Sequence, residues 1–394
     1  MTGSQLKPDW KMVKFGEVVK NANLVERDPE ANDIERIVGL EHIDPENLHI
    51  RRWNSVADGT SFTRKFVPGQ TLFGKRRAYQ RKVAYAEFEG ICSGDILTFE
   101  PKSKEVLLPE LLPFICQSDA FFEHALDTSA GSLSPRTSWG ALKDFEFALP
   151  PLEEQKRIAE ILWAADEVVE KYVYFWKAIN LYAETLIAEN LTSTDSGGVL
   201  GDYCPSHGIK IGPFGSLLHA KDYKSEGIPV VMPADIEGGV IQEESVARID
   251  LQKAGELQNY QLRENDILFP RRGDLTKRAI VLKHQENWLC GTGTIRVRLT
   301  EGINPRAVFW ALTSASINRW LERFSVGTTM PNLNASTIKK IPFHLPEGPS
   351  AAAFLAELER VMGASMSAKE HCSKLVDLRK NLVEQMVVER AAHV

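Results

Sequence analysis

Two segments of the chain interleave bases with aromatic and apolar residues: FGKRRAYQRKVAY, Phe73 to Tyr85, and FPRRGDLTKRAIV, Phe269 to Val281. A guanidinium offers a planar fork of donors that fits a phosphate or a guanine edge, and an ammonium neutralises phosphate without directional demands. The chemistry these residues suit is contact with nucleic acid. The candidates are Lys75, Arg76, Arg77, Tyr79, Arg81 and Lys82 in the first segment, and Arg271, Arg272, Lys277 and Arg278 in the second. Two polar loops follow: SAGSLSPRTS, Ser129 to Ser138, and SVGTTMPNLNAST, Ser325 to Thr337. Ser132, Ser134 and Arg136 in the first loop, with Thr328, Thr329, Asn332 and Asn334 in the second, carry hydroxyls, amides and a base that can reach phosphates and base edges. The competing reading is plainer: a basic run is a solvated face, and Ser, Pro, Asn and Gly make turns and caps everywhere. Recurrence of both features in both halves of the chain favours the contact role.

The signatures of catalysis are missing. No G-x-G-x-x-G follows a strand, and GPFGS at Gly212 to Ser216 has glycines without the lysine of a phosphate loop. There is no His-Glu-x-x-His, no Gly-x-Ser-x-Gly elbow, and MPADIEGG is not followed by the E-x-K of a metal-dependent nuclease. The five cysteines, Cys92, Cys116, Cys204, Cys290 and Cys372, are odd in number and scattered, which suggests neither a zinc pair nor a disulfide framework. No metal site, catalytic residue or cofactor is expected in this chain.

Composition bounds the class. A chain of 394 residues with 43% hydrophobic and 25% charged residues is sized for two or three soluble domains. No apolar run is long enough to cross a bilayer and MTGSQLKPDW is not a secretory signal, so the expected setting is the reducing cytoplasm, with no membrane partner. The net charge of −6 argues mildly against nucleic acid, but DNA responds to the patch it touches. Between Arg51 and Tyr85 the bases Arg51, Arg52, Arg64, Lys65, Lys75, Arg76, Arg77, Arg81 and Lys82 face one acid, Asp58.

These segments are positioned by a duplicated framework. An offset of 196 residues places Leu72-Phe73 on Leu268-Phe269, Lys75-Arg76 on Arg271-Arg272, Ser118 on Ser314, Gly131 on Gly327 and Pro135 on Pro331. Upstream, other offsets set KFGEVV (Lys14 to Val19) beside VLGDYC (Val199 to Cys204), and IVGLEHI (Ile37 to Ile43) beside VVMPADI (Val230 to Ile236). After Pro151 the apolar positions Ile158, Leu162, Ala165, Val169, Tyr172, Trp176, Ile179, Ala183 and Leu186 step by four and three, a heptad seam. The same offset gives Phe354, Leu358, Val361, Ser365, Ala368, Cys372, Leu375, Arg379 and Leu382, and Met386 continues the stripe. Each run is a helix of about 38 residues and roughly 57 Å, at ~1.5 Å per residue. One apolar stripe on so long a helix needs a partner, and two such stripes can bury each other. The expected fold is α+β: a globular domain at 1–150, a first long helix at 151–192, a second domain at 193–347 and a second helix at 348–394. The helices should run antiparallel as a coiled coil in a pseudo-twofold repeat. Trp139 and Trp310 are assigned to the cores.

The stretches LPPLEEQKRIAEIL, GQTLFGKRRAYQRKVAYAEFEGICSGDIL, GIKIGPFGSLL with DYKSEGIPVVMPADI, and VGTTMPNLNASTIKKIPFHLP resemble the specificity subunit of type I restriction–modification systems, over essentially the whole chain. The resemblance implies that each domain is a target recognition domain reading half of a split, asymmetric site on double-stranded DNA. It implies that the helices space the domains and dock two methyltransferase subunits, with restriction and motor subunits joining. S-adenosylmethionine, ATP and Mg would then belong to those partners, and this chain would be non-catalytic. The second helix departs from the pattern: LPEGPSAAAFLAEL lacks the Glu-Glu-Gln of the first, so that helix is expected to start a few residues later. Three alternatives stay open: the same module serving another phage-defence or modification system, a degenerate nuclease or methyltransferase, and a coiled-coil scaffold without DNA.

Overall fold

The computed structural model describes residues 9–192, 198–214, 217–324, 332–348 and 350–388. They form two compact units, Met1–Val173 with Glu370–Val394, and Tyr174–Lys369. The division falls inside both long helices, Leu152–Asn190 and Ser350–Val383, so half of each helix belongs to the domain it packs on.

Each unit is built on the same pair of sheets. In the first, strands Val19–Asn21, Ile96–Pro101, Thr71–Gly74 and Val83–Tyr85 lie in that spatial order, all antiparallel. In the second the order is Ile209–Ile211, Thr294–Val297, Ile267–Pro270 and Ala279–Ile280, again antiparallel. The other sheet of each unit contains one parallel pair: Ile37 lies beside Ile91 and Val38 beside Cys92, as Val230 lies beside Leu289 and Val231 beside Cys290. The N-terminal segment of each domain meets the closing strand, Lys14 against Glu146 and Val199 against Pro342. These pairings join the short sequence matches found at different offsets, because insertions between strands change numbering without changing which strands meet.

Two short helices cover each antiparallel sheet, and a serine breaks them at equivalent places. Ser118 donates to the Ile115 carbonyl at 2.8 Å and accepts from the Phe121 N–H at 3.3 Å. Ser314 donates to Ala311 at 2.6 Å and accepts from Ile317 at 3.4 Å. A hydroxyl that ends one helix and caps the next satisfies orphan groups of both. The following backbone N–H is met by a carboxylate from a long helix: Asp119 N–H donates to Glu384 at 2.6 Å in the first unit, and Ala315 N–H to Glu184 at 2.9 Å in the second.

The cores enlist both long helices. In the first unit, Phe15, Phe73, Phe99 and Phe121 pack with Ile158 and Leu162 of the first helix and Val383 and Met386 of the second. In the other, Phe269, Trp310 and Phe343 pack with Ile187 and Leu191 of the first helix and Leu358 of the second. Trp310 is buried and Trp139 packs half-buried on its core. Partners run antiparallel within each unit: Asp166 meets Arg379 in one, and Asn180 meets Ser365 at 2.5 Å in the other. Leu358, Val361, Ser365 and Ala368 are buried as the seam requires. Between Tyr172 and Ile179 the stripe is only half covered, since a lone partner helix shields a narrower band than a domain core does. The second helix begins at Ser350, two residues later than the offset would place it. The Glu-Glu-Gln of the first serves the fold: the Trp10 indole donates to Glu154 at 2.9 Å, and buried Gln155 accepts from Leu108 N–H at 2.9 Å and donates to Val106 and Pro150 carbonyls at 2.8 Å.

A charged layer interrupts the seam in the first unit. Asp166, 1% exposed at its side chain, takes Arg379 on one oxygen and His49 on the other at 2.8 Å, and His49 reaches Glu87 at 2.9 Å. Arg51 adds contacts to Glu87 at 3.3 Å and Glu170 at 3.2 Å. The hydrogen bond to Asp166 raises the His49 pKa above its ordinary value, against the opposing effect of burial. Stability from this contact is therefore fully present below about pH 6.5, the unfolded value, and is lost as pH rises through the higher value His49 has in the fold. Chemical denaturation across pH should show the first unit losing stability on that rise, and His49→Gln should flatten the dependence. Asp166→Ala, which strands Arg379, should cost about 3–5 kcal/mol, whereas pairing Asp166→Leu with Arg379→Met should cost much less.

Candidate nucleic-acid interface

In each domain the basic segment leaves a core strand and is tied by its backbone to the polar loop, in matching register. Arg76 bridges Arg136 in the first domain and Arg272 bridges Asn332 in the second. Thr137 N–H donates to the Lys75 carbonyl at 3.0 Å, and Leu333 N–H to the Arg271 carbonyl at 2.9 Å. Each loop then enters a short helix through an equivalent cap, Ser138 accepting from Ala141 N–H at 3.3 Å and Asn334 from Thr337 N–H at 2.9 Å. Segments 57 or more residues apart in sequence thus become one surface.

In the first domain that surface holds Lys75, Arg76, Arg77, Ser134 and Arg136. The Ser134 hydroxyl accepts from Arg76 Nε at 2.7 Å and Arg77 Nε at 3.2 Å. Asp95, absent from the sequence-derived candidates, is the counter-ion: Arg136 Nε donates to it at 3.0 Å and Arg76 lies at 3.5 Å. Burial pushes the Asp95 carboxyl up, but the hydrogen bond and charge of Arg136, with Lys75 and Arg76 nearby, hold it below its ordinary value. Burial, then the neighbouring Arg64, lowers the Lys75 ammonium. Ser132 is exposed in the loop and Tyr79 is exposed beside the basic run.

Arg77 is held at φ 55°, ψ 55°, the left-handed region. The equivalent position in the second domain is Gly273, at φ 85°. The turn demands a left-handed residue, and a side chain there costs about 1 kcal/mol or more. From that turn the exposed Arg77 side chain reaches the Ser134 hydroxyl.

In the second domain Arg271 donates through Nε to Asn332 at 3.1 Å and lies over the Phe214 ring at 4.7 Å, while Arg272 is exposed. Phe214 too was missed; it stands far upstream and only folding brings it to Arg271. Thr328 and Thr329 lie outside the described residues, as do Gly327 and Pro331 of the proposed repeat.

Several sequence candidates are committed elsewhere. Arg278 is 2% exposed, its guanidinium 4.2 Å from the Phe269 centroid and hydrogen-bonded to the Leu275 and Lys277 carbonyls, so it braces the turn instead of meeting a ligand. Burial pushes it down to about 9. Arg81 binds Glu46, Asp119 at 2.8 Å and the Gln117 carbonyl at 2.8 Å, and stacks on Phe122. Lys82 donates to the Leu40 carbonyl at 2.6 Å, and Lys277 pairs with Glu237. Asn334 is spent as a cap. The four bases among them stand just before the strands Val83–Tyr85 and Ala279–Ile280, where a long side chain folds back over the domain onto carbonyls or carboxylates.

Residues 8–171 and 213–361 match the family described as the type I restriction modification DNA specificity domain. The chain belongs to that family. The type I restriction enzyme EcoDI specificity subunit of Escherichia coli is 28% identical over 137 residues, which cover 32% of this chain and 30% of that relative. The S subunit of a type I restriction–modification system from M. genitalium shares the fold at a TM-score of 0.57, with 15% identity over 98% of each chain. A chain from a structure addressing complex assembly and conformational transition of a type I system has a TM-score of 0.53, 19% identical over 97% of this chain and 98% of that one. Membership accounts for two recognition-type domains in tandem; the internal bonds above show how this family member builds its two exposed basic loops. Among the described residues no helix is long and apolar enough to cross a membrane.

Arg77→Gly should leave thermal stability unchanged or raise it by up to about 1 kcal/mol, while weakening DNA binding in a gel-shift titration. Arg278→Met should do the reverse: a lower melting temperature, with the salt dependence of DNA binding intact.

Proposed function

We propose that the chain is the DNA-reading subunit of a type I restriction–modification assembly, each domain reading one half of a split asymmetric site. The observation that carries this is the basic segment bridged to a polar loop, once per domain and in the same register: Arg76 with Arg136, and Arg272 with Asn332. Lys75, Arg76, Arg77 and Arg136 in the first domain, and Arg271, Arg272 and Asn332 in the second, are the contacts to phosphate and base edges. Ser132, with Thr328 and Thr329, belongs to the loops that approach the groove. Arginine forks supply affinity and register, and the polar loops supply discrimination.

On this reading the chain is non-catalytic and works in the cytoplasm. It docks two methyltransferase subunits, with restriction and motor subunits joining, and S-adenosylmethionine, ATP and Mg act on those partners. The long helices set the distance between the half-sites.

Purified with methyltransferase partners, the chain should methylate one bipartite sequence, readable by methylation mapping. Arg76→Ala and Arg272→Ala should each lower the slope of log K against log salt by about one unit if the arginine faces phosphate. If it reads guanine, the loss is on the order of 1–3 kcal/mol at one position of one half-site. Unchanged binding at every salt concentration removes these segments from the interface. Removing matched heptads, Val168 to Tyr174 and His371 to Asp377, shortens the helix pair by about 10 Å. At ~3.4 Å per base pair the spacer should shrink by about three pairs while both half-sites stay the same. An assembled variant with an unchanged spacer refutes the ruler.

A further inference from the structure

A cleft of about 480 Å³ in the second unit is lined by four cations and, among the described residues, by no carboxylate. It lies beside the edge strand Ile209–Ile211 and beneath the 258–263 segment. Lys210 and Arg296 are cross-strand partners there. Lys210 sits 4.8 Å over the Tyr260 ring. Arg296, 5% exposed, donates weakly to the Asn259, Gln261 and His207 carbonyls at 3.5, 3.2 and 3.4 Å, and its Nε has no partner. Arg298 is paired with Asp266 by contacts of 2.8 and 2.6 Å. Arg263 is exposed on the lining.

Among the described residues Arg298 is therefore the only one of the four in a salt bridge, although the Asp266 charge also reaches Arg296. Burial, then the charge of Arg296, depresses the Lys210 ammonium, and burial followed by Arg298 depresses Arg296. Gathering like charges in a half-buried cleft destabilises the fold unless an anion joins them. The architecture does not require the cluster. In the first unit the strand neighbour of Leu72 is Thr98, where Leu268 has Arg296. The partner of Gln70 there is an acid, Glu100, at 2.7 Å, in the place that Arg298 takes beside Asp266. The same sheet thus forms with a hydroxyl and a carboxylate in the two positions.

We propose that this cleft is a phosphate-binding site. An oxyanion seated against Lys210 and Arg263, over the charge of Arg296, supplies the missing counter-charge, and the planar guanidinium forks match its oxygens. The site is separate from the Arg271–Asn332 surface: Asp266 precedes the Ile267–Pro270 strand and Arg271 follows it, about 16 Å away at ~3.3 Å per residue. The phosphate belongs either to a DNA backbone flanking the bases that are read, or to a free phosphate ester.

The test compares the full-length chain with the Lys210→Gln/Arg263→Gln double variant, both free of buried hydrogen-bonding duties, after matching their melting temperatures in chloride buffer. Inorganic pyrophosphate, titrated by calorimetry at constant ionic strength, should bind the parent at least tenfold more tightly than the variant. In a parallel DNA titration, a salt slope lower by about one unit in the variant identifies a backbone phosphate, and an unchanged slope with lost pyrophosphate binding identifies a free phosphate ester. Equal pyrophosphate affinity, or none in either protein, together with unaltered DNA affinity and slope overturns the site. A parent that binds pyrophosphate through this cleft yet binds no DNA leaves the site standing and refutes the DNA-reading function instead.

Discussion

A helix of 39 residues with one apolar stripe cannot bury that stripe by itself, and the rest of the molecule answers to this constraint. Within each unit the stripe is divided between a domain core and the other long helix. Ile158 and Leu162 enter the first core with Val383 and Met386; Ile187 and Leu191 enter the second with Leu358. Neither domain therefore completes its core from contiguous sequence. The carboxylates of Glu384 and Glu184, each capping a short helix of a domain, extend the same dependence into hydrogen bonding. A hydrophobic seam alone permits sliding by a heptad. The Asp166–Arg379 pair, buried and joined by His49, penalises any register that separates the two charges.

The duplication preserved backbone and changed side chains. Strand order, parallel pairs, the serine breaks and the loop bridges recur, because each satisfies main-chain groups that have no other partner. Side chains at equivalent positions diverge: Arg77 against Gly273, Glu100 against Arg298, Asp166 against Met362, Arg379 against Ala183. The first domain holds its basic surface together with Asp95, whereas the second uses Asn332 and the ring of Phe214. Two surfaces on one scaffold but with different electrostatics can meet different ligands, and the polar layer clamps the helix pair in the first unit where the second has apolar residues.

The sequence by itself determined the class of the fold, the two long helices, the doubling of the chain and the segments that form the basic surfaces. These are legible because periodicity, proline punctuation and repeat spacing are properties of neighbouring residues. The seam on the second helix was legible down to Leu358, Val361, Ser365 and Ala368. Only the tertiary structure decided which strands pair and where each side chain goes. Asp95-Ile96-Leu97 and Asp266-Ile267-Leu268 read alike, yet they open strands with different places in their sheets: the first matches Thr294–Val297, the second matches Thr71–Gly74. Arg76 and Arg278 are equally basic in sequence, but one stands at the surface with Ser134 and the other lies buried against Phe269. Asp95 and Phe214 could not be found from sequence, since each meets its arginine through pairings set by distant strands. A residue's type travels with the sequence; its burial and its partner are fixed only when segments far apart in the chain come together.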